Sequence, residues 1–92
     1  MKFNTSKTNI QFKVVGYKEN TGEFNGVRYH NYILYGVQNI TENGKGLEVL
    51  EMTLPDSCGV HPDRVLNHNV YCEFNYYKEA KRQKIQTIKV AE

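Results

Sequence analysis

Apolar and polar residues alternate along most of this chain with a period of two, which is the signature of strands with one buried face. Ile10, Phe12 and Val14 share one parity with Gln11 and Lys13 between them, predicting a first strand over about Asn9–Lys18. Asn20–Gly26 interrupts it and reads as a hairpin tip, because both central residues of a tight Asn25-Gly26 turn need positive φ. A second, longer strand is expected over Val27–Ile40, with a bulge near Gly36 where a missing side chain permits bending. Thr41–Gly46 is the next turn, and Leu47–Leu54 a third strand with Leu50, Met52 and Leu54 on one parity. Pro55–Asn69 breaks the pattern and holds both prolines; a short helix is expected around Pro62–Leu66, with Pro62 in its first turn and His61 beside the N-cap. Val70–Lys78 reads as a fourth strand, Glu79–Lys84 as a polar turn and Ile85–Val90 as a fifth strand. Residues Met1–Thr8 are expected to fray.

This order of elements predicts an all-β domain, 1–92, built as a five-stranded OB-like barrel with a short irregular or helical excursion between strands 3 and 4. An open β-sandwich or sheet of the same meander is the alternative. Closure would remove the exposed edges that strands of this length otherwise leave. Phe12, Val14, Cys72, Phe74 and Ile88 are the expected core. Tyr29, Tyr35 and Tyr76 share parity with apolar neighbours and are assigned to it as well.

Length and composition narrow the class. Ninety-two residues make one domain with a single modest core. A hydrophobic fraction of 39% and a charged fraction of 24% fit a folded chain rather than a disordered one. No apolar run approaches the roughly 20 residues that span a bilayer, so no membrane partner is expected. The first residues lack the apolar centre of a secretory signal, and two cysteines suit a reducing compartment, so a cytoplasmic location is expected. The net charge of +2 is too small to imply a polyanionic partner. Its distribution says more: Lys78, Lys81, Arg82, Lys84 and Lys89 stand against Glu79 alone, while Glu42, Glu48 and Glu51 cluster mid-chain.

The chemistry on offer is stacking and phosphate contact. Arg28, Tyr29, His30, Asn31 and Tyr32 set flat π-faces beside cationic and hydrogen-bonding groups. If the first two strands pair across the Asn20–Gly26 tip, Lys13, Arg28, His30 and Tyr32 are expected on one face. Tyr71 and Tyr77 fall on the non-core parity of the fourth strand. Half-exposed tyrosines also pack across ordinary sheets, which is the bland alternative.

Cys58-x2-His61 with His68-x3-Cys72 has the ligand composition zinc prefers. Four residues of extended strand would hold His68 and Cys72 roughly 13 Å apart, and Cys72 sits on the core parity, so no metal is expected. Cys58 with His61 lacks the flanking residues of a thiol nucleophile, Glu48 and Glu51 lie on opposite strand faces, and Gly44 and Gly46 lack the helix of a phosphate-binding loop. Neither an enzyme nor a cofactor is expected.

Asn25-Gly26-Val27-Arg28-Tyr29 resembles the glycine–basic–tyrosine arm of the small single-stranded DNA-binding proteins of filamentous phages and mobile elements. Met52–Asp56 is similar to the end of that family's middle strand, and Ile85–Val90 to its short closing strand. The resemblance implies an OB-type fold, a two-fold homodimer and coating of single strands without sequence preference. It also implies that Arg28 and Tyr29 lie on a DNA-facing arm, which competes with assigning Tyr29 to the core. Glu19 and Glu23 depart from the family, which favours basic residues on the arm. The chain ends Lys89-Val90-Ala91-Glu92, without the acidic tail of cellular counterparts, which points to a phage or mobile-element setting.

Together these readings predict single-stranded nucleic acid, DNA more than RNA, as the partner. Stacking is expected from Tyr32, Tyr71 and Tyr77, with phosphate contacts from Lys13, Arg28, Lys78, Lys81, Arg82 and Lys84. The rival from another class is a small β-module for protein–protein interaction or phage assembly, since tyrosine and arginine are also enriched at protein interfaces.

Overall fold

The structure, a computed structural model, describes residues 6–40 and 42–91. Among these described residues there are six strands: β1 (Ser6–Phe24), β2 (Val27–Asn39), β3 (Leu47–Pro55), β4 (Asn69–Tyr76), β5 (Gln83–Lys84) and β6 (Thr87–Val90). They form one mixed sheet in the order β5-β3-β2-β1-β4-β6, antiparallel except for the parallel β3–β5 pair. The all-β expectation is met, but the sheet is not closed and is not a five-stranded barrel. The reason lies in the last strand, which is split. Ile85 turns into the core between the two halves. Its N–H donates to the Thr53 carbonyl on β3, and the Gln86 N–H donates to the Glu73 carbonyl on β4, each at 2.8 Å. One segment thus touches both ends of the sheet without continuing as a single strand.

β1 and β2 meet at the Asn25-Gly26 turn, where both residues have positive φ (53° and 79°). The hairpin is tighter than expected, since Asn20–Gly22 belong to β1 rather than to a loop. β1 pairs with β4 only over Ser6–Lys13, and β3 pairs with β2 only as far as Asn31. The Thr21–His30 end of the hairpin therefore projects as a two-stranded arm. Of the stretch expected to fray, residues 6–8 are paired in β1, and residues 1–5 lie outside the described residues.

The expected bulge is present, but on the opposite strand. Val14 pairs with Gly36 and Gly16 with Tyr35, leaving Val15 as the extra residue of β1. Gly36 lies under the Phe12 ring, so close that a Cβ there would stand 2.1 Å from the nearest ring carbon. The core consists of Phe12, Val14, Leu34, Met52, Leu54, Val65, Val70, Cys72, Phe74 and Ile85, with Ile88 half-buried against it.

The excursion after β3 contains two 3₁₀ turns, Asp56–Cys58 and Pro62–Arg64, rather than an α-helix. His61 is itself the N-cap of the second, its Nδ1 accepting from the Asp63 N–H at 3.1 Å. Pro62 is buried at N1 and Val65 seals the turn against the core. Among the described residues no helix is long and apolar enough to cross a membrane.

Candidate nucleic-acid interface

The β1–β2 ribbon has two faces, and the structure divides the expected site residues between them. Residues directly opposite in an antiparallel pair share a face, and neighbours in sequence alternate. On the inner side, continuous with the core, Leu34 pairs with Tyr17, Tyr32 with Glu19, His30 with Thr21 and Arg28 with Glu23. On the outer side lie Val37 with Lys13, Tyr35 with Gly16, Ile33 with Lys18, Asn31 with Asn20 and Tyr29 with Gly22. Lys13 is thus on the opposite face from Arg28, His30 and Tyr32, with which it was expected to align. The Val15 bulge is the physical cause, because one extra residue reverses the parity of everything beyond it.

The inner face of the arm is acidic and internally engaged. His30 sits between two carboxylates, with Nε2 2.6 Å from Glu19 Oε2 and Nδ1 3.0 Å from Asp56 Oδ2. Both ring nitrogens can donate only as imidazolium. These hydrogen bonds, to Asp56 first and then Glu19, raise the His30 pKa above its ordinary value. The Tyr17 hydroxyl donates to Asp63, which raises the Tyr17 pKa. Tyr32 is half-buried and packs edge-on to Tyr17 and His30, at centroid separations of 5.8 and 5.1 Å, with His61 5.4 Å away. Its assignment to an open polar face is therefore corrected: this ring belongs to a packed cluster against the core.

The outer face has the opposite character. Thr53 on β3 pairs with Ile33 and with Lys84 of β5, so Lys18, Ile33, Thr53 and Lys84 form one row. In the next row Glu51 flanks Tyr35, and its carboxylate accepts from the Arg82 guanidinium at 3.1 Å. Lys13, Lys18 and Lys84 are exposed in the rows on either side of Tyr35, and Tyr29 lies further along the same face of the arm. Tyr29, assigned to the core from its parity, is 44% exposed, and Tyr35 is half-buried. Tyr76 is exposed as well, because it lies past the last buried residue of β4.

The remaining expected residues spread more widely. Tyr71 is exposed on the outer side of β4, cross-strand from Gln11 and Lys89. Tyr77 is exposed at the turn after β4, where its backbone N–H and carbonyl bind the Gln83 side chain. Lys78 and Lys81 are exposed in the same turn, whereas Arg82 is tied to Glu51. Tyr32 and Tyr71 therefore do not form one stacking surface.

Of the four candidate metal ligands, Cys72 faces the core, where burial pushes its thiol pKa up to about 12. Cys58 Sγ lies within hydrogen-bond reach of the Ile85 and Gln86 carbonyls, and burial raises its pKa too. Among the described residues no three such side chains converge on one point. Lys18 and Tyr35 are the site residues sequence reasoning missed. The odd spacing of Val14 and Tyr17, both directed inward, was the signal for the bulge that turns Lys18 outward, whereas Tyr35 faces outward by the parity of β2 itself, between inward Leu34 and Gly36. Comparison with protein-family models, with curated proteins and with solved structures gave no match.

Proposed function

We propose that the protein binds single-stranded nucleic acid, DNA more than RNA, across the outer face of β1, β2, β3 and β5, as an accessory to phage or mobile-element replication. The observation that carries this reading is the sorting of charge between the two faces of one ribbon. Outward, the rows of Lys13 and of Lys18 with Lys84 flank Tyr35, Tyr29 lies further along the same face, and the acid among them, Glu51, is already paired with Arg82. Inward, the arm carries Glu19 and Glu23, with Asp56 against His30, and these acids outnumber Arg28 and the His30 imidazolium, so that face attracts a phosphate chain less. Tyrosines within a basic strip suit stacked bases and tracked phosphates.

An OB-like strand arrangement, left open where the last strand is split, is the finer fold reading. It is supported by the parallel β3–β5 pair and by the C-terminal segment that hydrogen-bonds both β3 and β4. In that fold the face of strands 2 and 3, between the loops after strands 1 and 4, is the usual oligonucleotide surface. The second reading, a protein-interaction module, is favoured by one feature: Phe24 and Val27, at the arm tip, are 71% and 67% exposed.

Titration of fluorescent oligo-dT at several salt concentrations tests the proposal. Lys18→Glu with Lys84→Glu should weaken binding for every sequence and flatten the log–log salt slope by about 0.7 per lost phosphate contact. Tyr35→Ala should cost roughly 1–3 kcal/mol of affinity through one lost stack. Arg28→Glu, on the acidic face, should change little. A slope unaltered by the double reversal, or a larger effect from Arg28→Glu, would overturn the assignment in favour of the protein-interaction reading.

A further inference from the structure

A pocket of about 490 Å³ lies on the β4 side of β1, away from β2, lined by Asn9, Tyr71, Glu73, Thr87 and Lys89. Strand register sets these side chains in two rows of one face. Gln11, Tyr71 and Lys89 stand cross-strand in the first row, and Asn9, Glu73 and Thr87 in the second. Residues two apart on a strand share a face and lie about 7 Å from each other, so a flat ring stacked on Tyr71 reaches over the row of Glu73. The Tyr71 ring is 46% exposed and open to such a partner. The Glu73 carboxylate accepts from Thr87 Oγ1 at 3.1 Å, which fixes its direction. An ionised carboxylate offers about four lone-pair sites, more than that hydroxyl uses.

We propose that this pocket takes a guanine base. The inference rests on the nucleic-acid reading for the strand that carries the base, and it departs from the coating without sequence preference that the family resemblance implies. Tyr71 supplies the stacking face, and Lys89 beside it a cation for the adjoining phosphate. The edge of the stacked base then meets an acceptor, the Glu73 carboxylate, between Thr87 on β6 and the Asn9 amide on β1, which can donate. Among the DNA bases only guanine carries two adjacent donors, N1–H and the N2 amine, followed by an acceptor, O6. Cytosine and adenine place a ring-nitrogen acceptor beside their amino group, and thymine flanks its one N–H with carbonyls. Each of the other three therefore sets an acceptor against the carboxylate, which repels it.

The test compares fluorescent oligo-dT with the same oligomer carrying one central dG or one central dI. The dG oligomer should bind the native chain about tenfold tighter than oligo-dT, the discrimination of one good bidentate pair. The dI oligomer lacks the N2 amine and should lose most of that gain. Glu73→Gln can keep the Thr87 bond but replaces one acceptor by an amide donor, so it should bring the dG-to-dT affinity ratio close to one. Titration with dGMP and with dTMP, followed by NMR of the Tyr71 and Glu73 amides, probes the pocket without a strand. These resonances should shift with dGMP and much less with dTMP. Equal affinity for the dG and dT oligomers, a dI oligomer that binds like dG, a ratio that survives Glu73→Gln, or amides that do not favour dGMP would each overturn the proposal. Failure of oligo-dT to bind at all would instead sink the outer-face reading, and the mononucleotide titration would then decide the pocket by itself.

Discussion

Replacing Gly36 by Ala adds one methyl group to the tightest contact in the core. The new Cβ would lie 2.1 and 2.6 Å from two carbons of the Phe12 ring and 3.0 Å from the Lys13 carbonyl oxygen. Carbon atoms rest at about 3.5–4.0 Å, so the ring would have to move by more than an ångström. Phe12 is 3% exposed and surrounded by other core side chains, which leaves it little room. Overpacking of this kind costs about 1–3 kcal/mol. The gain from restricting the unfolded backbone, about 0.4–1 kcal/mol, offsets only part of it. At roughly 4–8 °C per kcal/mol for a domain of this size, melting should fall by about 5–15 °C. Calorimetry of a double-mutant cycle isolates the cause. Phe12→Leu removes the clashing ring edge, so Gly36→Ala should be nearly neutral in that background, with a coupling of about 1–3 kcal/mol. A Gly36→Ala chain that melts like the native one, or two strictly additive substitutions, would refute the account of Gly36 as the floor beneath Phe12.

Three further outcomes are expected. Because its two carboxylate partners raise the His30 pKa, the stability that contact contributes is fully present below the unfolded pKa of about 6.5 and lost as pH rises through the folded value. The melting difference between the native chain and His30→Gln should therefore shrink from pH 6 to pH 9, and a flat difference, or an NMR pKa at or below the ordinary value, would contradict the clamp. Tyr32→Ala should destabilise by about 1–3 kcal/mol, since it removes a half-buried ring with several aromatic neighbours; an unchanged denaturant midpoint would return Tyr32 to an open face. A thiol reagent at pH 8 should modify Cys58 before Cys72, whose labelling should track global unfolding, because Cys72 is buried and its thiol pKa is pushed up to about 12; equal labelling rates would contradict that burial.

The strands themselves were legible because alternation survives wherever one face is buried: Phe12, Val14, Cys72 and Phe74 are core in both readings. β2 was misread because its apolar residues mislead. Tyr29, Ile33, Tyr35 and Val37 share a parity, and that parity faces outward. The inward positions are Tyr32, Leu34 and Gly36, and Gly36 is a core position in which the filling atoms belong to Phe12 on the next strand. Ile33 reinforces the confusion, since it is buried on the outer face between Lys18 and Thr53 without joining the core. Hydropathy records what a residue carries, and a glycine whose space is taken by a neighbouring strand leaves no trace in it. The split of the fifth strand was hidden for a related reason: Ile85 and Ile88 both look like strand residues, but their odd separation allows a break between them.

The bulge links fold and candidate site. Val14 and Tyr17 are three residues apart, and an unbroken strand would send them to opposite faces. With Val15 as the extra residue both point inward, and the core side of β1 continues from Val14 to Tyr17 and onto the arm. The same step acts on the other face. Lys13 and Lys18 are five apart, again an odd number, and the bulge brings them both outward beside Tyr35. Without it, Lys18 would face the packed side while Glu19 and Glu23 stood outward with Lys13, and the outer lysines would lie among the acids of the arm. A single inserted residue therefore keeps the core continuous and separates the acids of the arm from the lysines. Core packing and charge sorting are in this sense one structural decision, so any change that removes Val15 acts on both.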